Sequence, residues 1–230
     1  MNSSGVNLIM ALVGQVSWFE VIISIFADLI VIFVCFPVRA YAKGFVAKLC
    51  GDDTAERMGR LTLNPFAHFD LIGALMIFVC NIGFTKPMPI DLRRCRKVSE
   101  KTASILVALA GPLANMLMAF ILLIPYRILM VQAAEQQSEV IYWAAMALYI
   151  AAEINVFLMI FNLIPLPPFD GYEILAAFLP LKARLFMERN ARIFQIVVLL
   201  LIFSDVLDIP LAIATNGIMT FLQLPLFFIG

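Results

Sequence analysis

Long apolar runs separated by short charged segments dominate the hydrophobic pattern of the chain. The longest runs, with at most two acidic residues in each, cover residues 19–38, 102–126, 140–169 and 209–230. A helix needs about 20 apolar residues, each rising about 1.5 Å, to cross the roughly 30 Å hydrocarbon core of a bilayer. Each run is therefore predicted to be a transmembrane helix. Two weaker runs, residues 69–84 and 191–207, raise the predicted number of crossings to five or six.

The composition agrees with this pattern, because 63% of the residues are hydrophobic and only 14% are charged. The mean hydropathy of +0.99 is far above that of a soluble domain. We therefore expect an all-α polytopic protein surrounded by the lipid bilayer. A formal net charge of zero gives no basis for nucleic-acid binding, and the oligomeric state is not readable. The four cysteines show no close pairing and are predicted to be buried free thiols: Cys35, Cys50, Cys80 and Cys95.

Three clusters of basic residues predict the orientation of the chain. They lie at residues 48–60, 86–101 and 182–192, and the positive-inside rule places all three in the cytoplasm. Residues 69–84, between the first two clusters, are too few to cross the bilayer and return. We therefore expect a re-entrant or hairpin element there, after the first core helix. Non-helical backbone at membrane depth needs protein or a water-filled cavity around it, so a cavity is expected as well.

Three prolines end the third long apolar run and are followed closely by Asp170. Proline lacks an N–H and clashes with the preceding turn, so the helix is expected to break near Pro165. Asn155 and Asn162 are nearly two turns apart and therefore share one helix face. An ionisable group at membrane depth indicates a functional site, although an interfacial aspartate at a helix end has the same sequence pattern.

The run Asn162-Leu163-Ile164-Pro165-Leu166-Pro167-Pro168-Phe169-Asp170-Gly171 resembles the Asn-x-x-Pro-x-Pro-Pro-x-Asp-Gly signature of the site-2 protease family of intramembrane zinc metalloproteases. Other blocks are similar to the family in order and spacing: Gly51-Asp52, Gly59-Arg60-Leu61-Thr62-Leu63-Asn64-Pro65, His68, Lys86-Pro87-Met88-Pro89 and Ala110-Gly111-Pro112-Leu113-Ala114-Asn115. The resemblance covers residues 30–178. It implies a set of substrate-facing residues, namely Asn115, Asn155, Asn162, Pro165 and Pro168.

The resemblance also implies a zinc site, but the motif for it is missing. Enzymes of the family use His-Glu-x-x-His on the first core helix to bind zinc and activate water, with a distant aspartate as a further ligand. Counted back from Gly51, these positions fall on Arg39, Ala40 and Lys43. Arginine keeps its proton and only donates, a lone lysine is a rare zinc ligand, and alanine cannot activate water. Asp170 is the only ligand position that survives, so we expect no zinc here.

The two cations at the degenerate positions suggest a replacement for the metal. Arg39 and Lys43 lie one turn apart on the face that the resemblance directs toward Asp170. A buried unpaired charge costs several kcal/mol, so we hypothesise that both cations neutralise this carboxylate. Alternatively, both side chains extend to the cytoplasmic surface.

Three further polar residues are candidate ligands or site residues. His68, the only histidine, matches a family position outside the zinc site and is expected to be a hydrogen-bonded loop residue. A metal site rebuilt from His68, Asp170 and a cysteine is the alternative. Asp28 and Glu153 receive no role, and both are expected to face the bundle interior or an aqueous cleft.

The sequence favours a site-2-protease-like scaffold that lacks zinc and peptidase activity and binds transmembrane segments of partner proteins. One alternative is an active zinc-dependent intramembrane protease with a rearranged metal site, and another is a transporter or channel. We expect a single membrane domain over residues 1–230, with the family core at 30–178 and a cytoplasmic loop and transmembrane extension at 179–230. Natural divergence and deliberate inactivation both produce an alanine at the glutamate position.

Overall fold

The computed structural model describes residues 3–80, 83–203 and 206–228. Within these ranges the chain is helical and contains no strand, as the hydrophobic pattern predicts. The α-helices are α1 (Ser4–Leu12), α2 (Trp18–Ile30), α3 (Phe36–Cys50), α4 (Thr54–Arg57), α5 (Pro65–His68), α6 (Leu71–Cys80), α7 (Glu100–Gln136), α8 (Glu139–Asn162), α9 (Asp170–Ala176), α10 (Leu181–Arg189), α11 (Ala191–Phe203) and α12 (Asp208–Gln223). Short 3-10 turns occupy Leu92–Arg94 and Leu224–Phe228.

Four helical segments in the described residues are long and apolar enough to cross a bilayer. They are Trp18–Cys50, Glu100–Gln136, Glu139–Asn162 and Ile209–Leu226, and they coincide with the four long apolar runs of the sequence. The two weaker runs form shorter helices, with 10 residues in α6 and 13 in α11. Each is shorter than the about 20 residues that a crossing requires.

The first long helix is continuous but contains a wider, π-helical turn between α2 and α3. A π-helical turn, Val31–Cys35, joins α2 to α3, and Pro37 stands in the first turn of α3. Because proline has no N–H, the regular hydrogen bond back to the preceding turn cannot form at this position, and the wider turn accommodates the interruption. Gly51 ends α3 with a φ of 112°, a left-handed conformation that favours glycine.

The helices α7 and α8 form an antiparallel hairpin at the centre of the fold. The connection is only two residues long: Gln137 adopts a left-handed φ of 48°, and the Ser138 side chain caps α8 by accepting from the Ile141 N–H. Small residues line the packed faces, and Ala119, Ala151 and Ala152 are completely buried. Such residues let helix backbones approach closely where lipid offers no hydrophobic drive for association.

A compact core surrounds this hairpin. Its largest fully buried apolar side chains include Ile77 of α6, Leu123 of α7, and Ile154 and Leu158 of α8. Three of the cysteines are buried free thiols as predicted, Cys35, Cys50 and Cys95. The side chain of Cys80 lies outside the described part of the chain.

The start of α6 is in close contact with the segment that begins at Gly83, in the region where the sequence predicts a re-entrant or hairpin element. Asp70 Oδ1 accepts the Gly73 N–H at 2.9 Å at the start of α6. The backbone of Phe84 passes so close to Gly73 that a Cβ atom there would lie 1.9 Å from the Phe84 carbonyl oxygen. Only glycine permits this contact, which brings the segment after α6 back alongside its first turn.

Candidate functional site

Asp170 lies at the break that the prolines create. The helix α8 ends at Asn162, an irregular segment carries the prolines, and Asp170 begins α9. The predicted break near Pro165 is therefore confirmed. Phe161 and Phe169, on either side of the break, contact edge to face with ring centroids 4.7 Å apart. The Asp170 side chain is 6% exposed, so its charge needs partners within the protein.

Both cations of α3 reach this carboxylate. Arg39 Nη2 donates to Asp170 Oδ2 at 2.8 Å, and Lys43 Nζ donates to Asp170 Oδ1 at 2.5 Å. The side chain of Arg39 is 12% exposed and that of Lys43 25% exposed. Each carboxylate oxygen therefore has a charged donor of its own. The ion-paired arrangement predicted from the sequence is present, and the two side chains do not extend away from Asp170.

Asn162 completes the set of contacts at this cluster. Its Oδ1 accepts a hydrogen bond from Arg39 Nη2 at 2.7 Å, while its Nδ2 donates to the Leu158 carbonyl at 2.6 Å. Because the amide uses its oxygen and its nitrogen in different directions, both contacts fix its orientation. Arg39, Lys43, Asp170 and Asn162 are called the ion-pair cluster below.

Gly111 of α7 forms the floor of the ion-pair cluster. A Cβ atom at this position would lie 2.9 Å from Asp170 Oδ2 and 3.2 Å from Arg39 Nε. The helix α7 can therefore pass directly beneath the ion pair only because residue 111 has no side chain. The sequence does not predict this role, although Ala110-Gly111-Pro112 belongs to one of the blocks that resemble the family.

A cavity of about 410 Å³ opens beside the ion-pair cluster. Arg39, Ala40 and Lys43 form one wall of it, and residues of the segment Gly83–Met88 contribute to another. Among the predicted substrate-facing residues, Asn162 and Pro168 line the cavity. A volume of this size accommodates several side chains of a bound polypeptide or a small ligand.

The other predicted substrate-facing residues lie elsewhere. Asn115 and Asn155 are completely buried, and Pro165 is exposed. Asn155 Nδ2 donates to the Ala151 carbonyl at 2.8 Å within α8. Neither amide atom of Asn115 has a hydrogen-bond partner among the described residues. Asn162 therefore belongs to the ion-pair cluster, whereas Asn155 does not, although both residues lie on one face of α8.

A second cavity of about 280 Å³ adjoins the first. The two share Lys43, Pro87 and Met88 as lining residues, so the Pro87-Met88 segment lies between them. Glu173 of α9 lines the second cavity. Desolvation raises the pKa of this carboxyl, and the positive charges of Arg184 and Lys43 oppose the rise.

Residues of the remaining family blocks form hydrogen bonds to the segment that contains Pro87 and Met88 of the cavity lining. His68 is buried, and its Nε2 donates to the Thr62 carbonyl at 2.7 Å, which fits the predicted role as a hydrogen-bonded residue. Its backbone carbonyl accepts from the Lys86 N–H at 3.0 Å. Asp52 accepts the Asp91 N–H at 2.7 Å, which ties the end of α3 to the segment after Pro89.

The two acids without an assigned role lie away from the ion-pair cluster. Asp28 is 1% exposed and accepts a hydrogen bond from Ser4 Oγ at 2.6 Å, which joins α1 to α2. Glu153 is partly buried in the middle of α8. Neither residue lines the described cavities beside Asp170.

The residues around Asp170 do not fit a zinc ion. Its two oxygens are already occupied by cationic donors, and neither Arg39 nor Lys43 offers a lone pair while it carries a proton. No group of three or more histidine, cysteine, aspartate or glutamate side chains suited to a metal occurs within the described ranges. The alternative site from His68, Asp170 and a cysteine is therefore not assembled in them.

Four long apolar helices define an integral membrane protein, and the ion-pair cluster lies at the end of one of them. The sequence profile of peptidase family M50 matches residues 15–204. The chain therefore belongs to peptidase family M50, the site-2 protease family, which confirms the resemblance seen in its motifs.

Three curated relatives agree with this assignment. The chain is 34% identical over 174 residues to "Putative zinc metalloprotease YwhC" of Bacillus subtilis, which covers 76% of this chain and 78% of the relative. It is 32% identical over 168 residues to "Putative zinc metalloprotease Rip2" of Mycolicibacterium smegmatis, covering 70% and 61%. It is 30% identical over 105 residues to "Putative zinc metalloprotease MJ0611" of Methanocaldococcus jannaschii, covering 46% and 49%. No solved structure matches the chain significantly.

Proposed function

We propose that this chain is a pseudoprotease: a site-2-protease scaffold without zinc or peptidase activity that binds transmembrane segments of partner proteins. The observation that carries the proposal is the pairing of Asp170 with both Arg39 and Lys43, at 2.8 and 2.5 Å. The carboxylate that serves the family as a metal ligand is neutralised here by side chains. Ala40, at the position of the family's glutamate, has no group that could take a proton from water.

The cavity beside the ion-pair cluster supports the binding part of the proposal. Arg39 and Lys43 place two cationic donors at its wall, where the carboxylates of Asp170 and Asp70 balance their charge. Unwound segments of a partner expose backbone carbonyl oxygens, which need donors at membrane depth. The cavity offers such donors. That Asn115, Asn155, Asn162, Pro165 and Pro168 face a bound partner stays a prediction.

Metal analysis of the purified full-length chain tests the loss of zinc. We expect substoichiometric zinc after purification in zinc-containing buffer, because the donor set around Asp170 is cationic. The triple variant Arg39→His, Ala40→Glu and Lys43→His should gain about one zinc per chain. The same triple variant with Asp170→Asn is the matched control and should bind zinc more weakly. Stoichiometric zinc in the unaltered chain would overturn the proposal.

Cross-linking tests the binding part. A photoreactive residue at Ala40, in the cavity wall, should cross-link to a synthetic transmembrane peptide reconstituted in the same vesicles. The control position is Gly217 on α12, which has open space around it and lies outside the cavity lining. Equal yields at the two positions would show that the peptide makes only random contacts in the bilayer.

An active zinc protease with a rearranged site is the second candidate, because the curated relatives carry the name of zinc metalloproteases. It would require ligands other than those that surround Asp170. A transporter or channel ranks last, because Asp28 and Glu153, two acids within the long helices, lie away from the ion-pair cluster and line neither cavity beside it. Bound zinc together with cleavage of a membrane-embedded peptide would favour the second candidate over our proposal.

For the topology we propose five or six crossings, with α6 as part of a re-entrant element after the first core helix. The contact between Gly73 and Phe84 supports a reversal at this point. We place the basic loops 86–101 and 182–192 in the cytoplasm on the positive-inside rule. The division into a family core at 30–178 and an extension at 179–230 remains a prediction. Labelling of single cysteines introduced at Arg93 and Arg189 in sealed vesicles tests the orientation.

A further inference from the structure

A short helix outside the long apolar helices exposes large apolar side chains. On α10 and the turn before it, Phe178, Leu181 and Phe186 expose 65%, 69% and 62% of their surface. Leu185 is exposed as well, whereas Ala183 and Met187 are half-buried on the opposite side of the helix. Several large apolar side chains exposed on one short helix indicate contact with a membrane or a partner rather than with water.

Cations are interleaved with these apolar side chains. Viewed along the axis of α10, the directions of Leu185 and Phe186 enclose an arc of about 100° on one face of the helix. At about 100° per residue, Lys182 and Arg189 project within that arc. Arg184 differs, because its Nε donates to Glu188 at 2.7 Å and its charge is partnered on the helix. The outward face therefore combines apolar side chains with cations, and no acid lies within the arc between Leu185 and Phe186.

The helix α10 lies near the ends of the long helices α7 and α8. Lys101, in the first turn of α7, lies with its Nζ 4.1 Å above the ring centroid of Phe178. The long helix α8 ends shortly before α9, and the apolar helix α11 begins directly after α10. The helix thus lies at the level where the long helices α7 and α8 begin and end. Lipid headgroups occupy this level in a bilayer.

We propose that Phe178 and the outward face of α10 form an interfacial surface that binds the headgroups of anionic phospholipids. Leu181, Leu185 and Phe186 enter the boundary of the acyl chains, while Lys182 and Arg189 extend toward lipid phosphates. Charge complementarity favours this partner, since the choline of a zwitterionic lipid offsets the charge of its phosphate, whereas an anionic headgroup keeps a net negative charge for the two cations. The inference stands apart from the proposed pseudoprotease function, because none of these residues lines the cavity beside Asp170.

Fluorescence quenching by brominated lipids tests this surface on the full-length chain in nanodiscs. Phe186→Trp serves as the reporter, in a background where the two native tryptophans, Trp18 and Trp143, are replaced by phenylalanine. Nanodiscs contain dibrominated phosphatidylglycerol or dibrominated phosphatidylcholine at equal mole fraction. We expect phosphatidylglycerol to quench the reporter at least about twofold more strongly, because the nearby cations enrich anionic lipid.

Charge variants distinguish enrichment of anionic lipid by the cations from simple burial of the reporter in lipid. In Lys182→Gln with Arg189→Gln the excess quenching by phosphatidylglycerol should disappear, while quenching by phosphatidylcholine persists. The matched control, Lys48→Gln with Arg57→Gln, removes two exposed cations from α3 and α4 and should keep the excess.

Three outcomes would overturn the inference. Equal quenching by the two lipids in the unaltered charge background would show an apolar surface without headgroup selectivity. An absence of quenching by either lipid would place α10 away from the bilayer. Reporter emission that shifts with protein concentration and is not quenched would identify a second copy of the chain as the partner.

Discussion

The ammonium nitrogen of Lys43 lies 2.5 Å from Oδ1 of Asp170, although 127 residues separate the two in the chain. The contact joins the first core helix to the first residue of α9. Because Asp170 is nearly inaccessible to water, the strength of the interaction depends on the protein around it rather than on salt. Substitutions in the ion-pair cluster should therefore lower the stability of the folded protein.

Replacing Arg39 by alanine should destabilise the protein. The substitution removes the partner of Asp170 Oδ2 and the donor to Asn162, which leaves Lys43 as the charged partner of the carboxylate. We expect a loss of about 1–3 kcal/mol, below the 3–5 kcal/mol typical of a buried pair that loses its only counterion. The measurement is a melting curve in detergent. Arg57→Ala, at an exposed pair on α4, is the control and should change stability by about 0.5 kcal/mol or less.

Replacing Asp170 should cost more than replacing Lys43. Lys43→Met leaves Arg39 and Asp170 as a balanced pair, so we expect a loss of about 1 kcal/mol. Asp170→Asn leaves two neighbouring cations with no carboxylate, and the expected loss is about 3–5 kcal/mol. Melting of both variants under one set of conditions gives the comparison. Similar losses for the two would mean that Asp170 is not the centre of charge compensation.

Gly111→Ala should disturb the ion-pair cluster without changing any charge. The new methyl group would meet Asp170 Oδ2 at 2.9 Å and Arg39 Nε at 3.2 Å, so the ion pair must move or the helices must separate. We expect a loss of about 1–3 kcal/mol. Gly217→Ala is the matched control, because a Cβ atom at Gly217 meets nothing within 4 Å. In α12 that change should be neutral or stabilise by about 0.5–1 kcal/mol. Equal melting of the two variants would argue against a close floor at residue 111.

The short helix α4 should show a small dependence on pH through Asp53. The hydrogen bond from Arg57 lowers the pKa of Asp53 below its ordinary value in the folded state. A lowered pKa stabilises the fold at pH values above the ordinary pKa of about 3.9, and that contribution is lost as the pH falls through the folded-state pKa. The difference in melting temperature between the unaltered chain and Asp53→Asn should therefore be largest near neutral pH and shrink below about pH 4. A difference that grows on acidification would contradict this assignment.

The helices and the ion pair could be predicted because each depends on local pattern or on charge balance. Apolar runs of sufficient length specify the four long helices, and the prolines before Asp170 specify the break. The pairing of Arg39 and Lys43 with Asp170 follows once the family alignment places them opposite one another, since a buried charge requires a partner.

The floor and the walls of the site could not be predicted in the same way. The approach of Gly111 to Asp170 depends on how closely α7 packs against α3, and helical periodicity does not fix that distance. Asn155 and Asn162 share a face of α8, but the helix ends at Asn162, so only the second residue reaches the break. The shared face was a correct local inference that did not determine which residue contacts Arg39.

The π-helical turn at Val31–Cys35 sets the rotational phase of the first long helix. Such a turn contains one residue more than an α-helical turn would, and each residue rotates a helix by about 100°. The extra residue therefore determines which face of α3 points toward α9 while α2 keeps its own face, with Asp28, against the bundle. Deleting a single residue between Val31 and Cys35 would convert the turn to a regular one and rotate Arg39 and Lys43 out of alignment with Asp170. The contact of Arg39 and Lys43 with Asp170 thus depends on the number of residues in the turn that precedes α3.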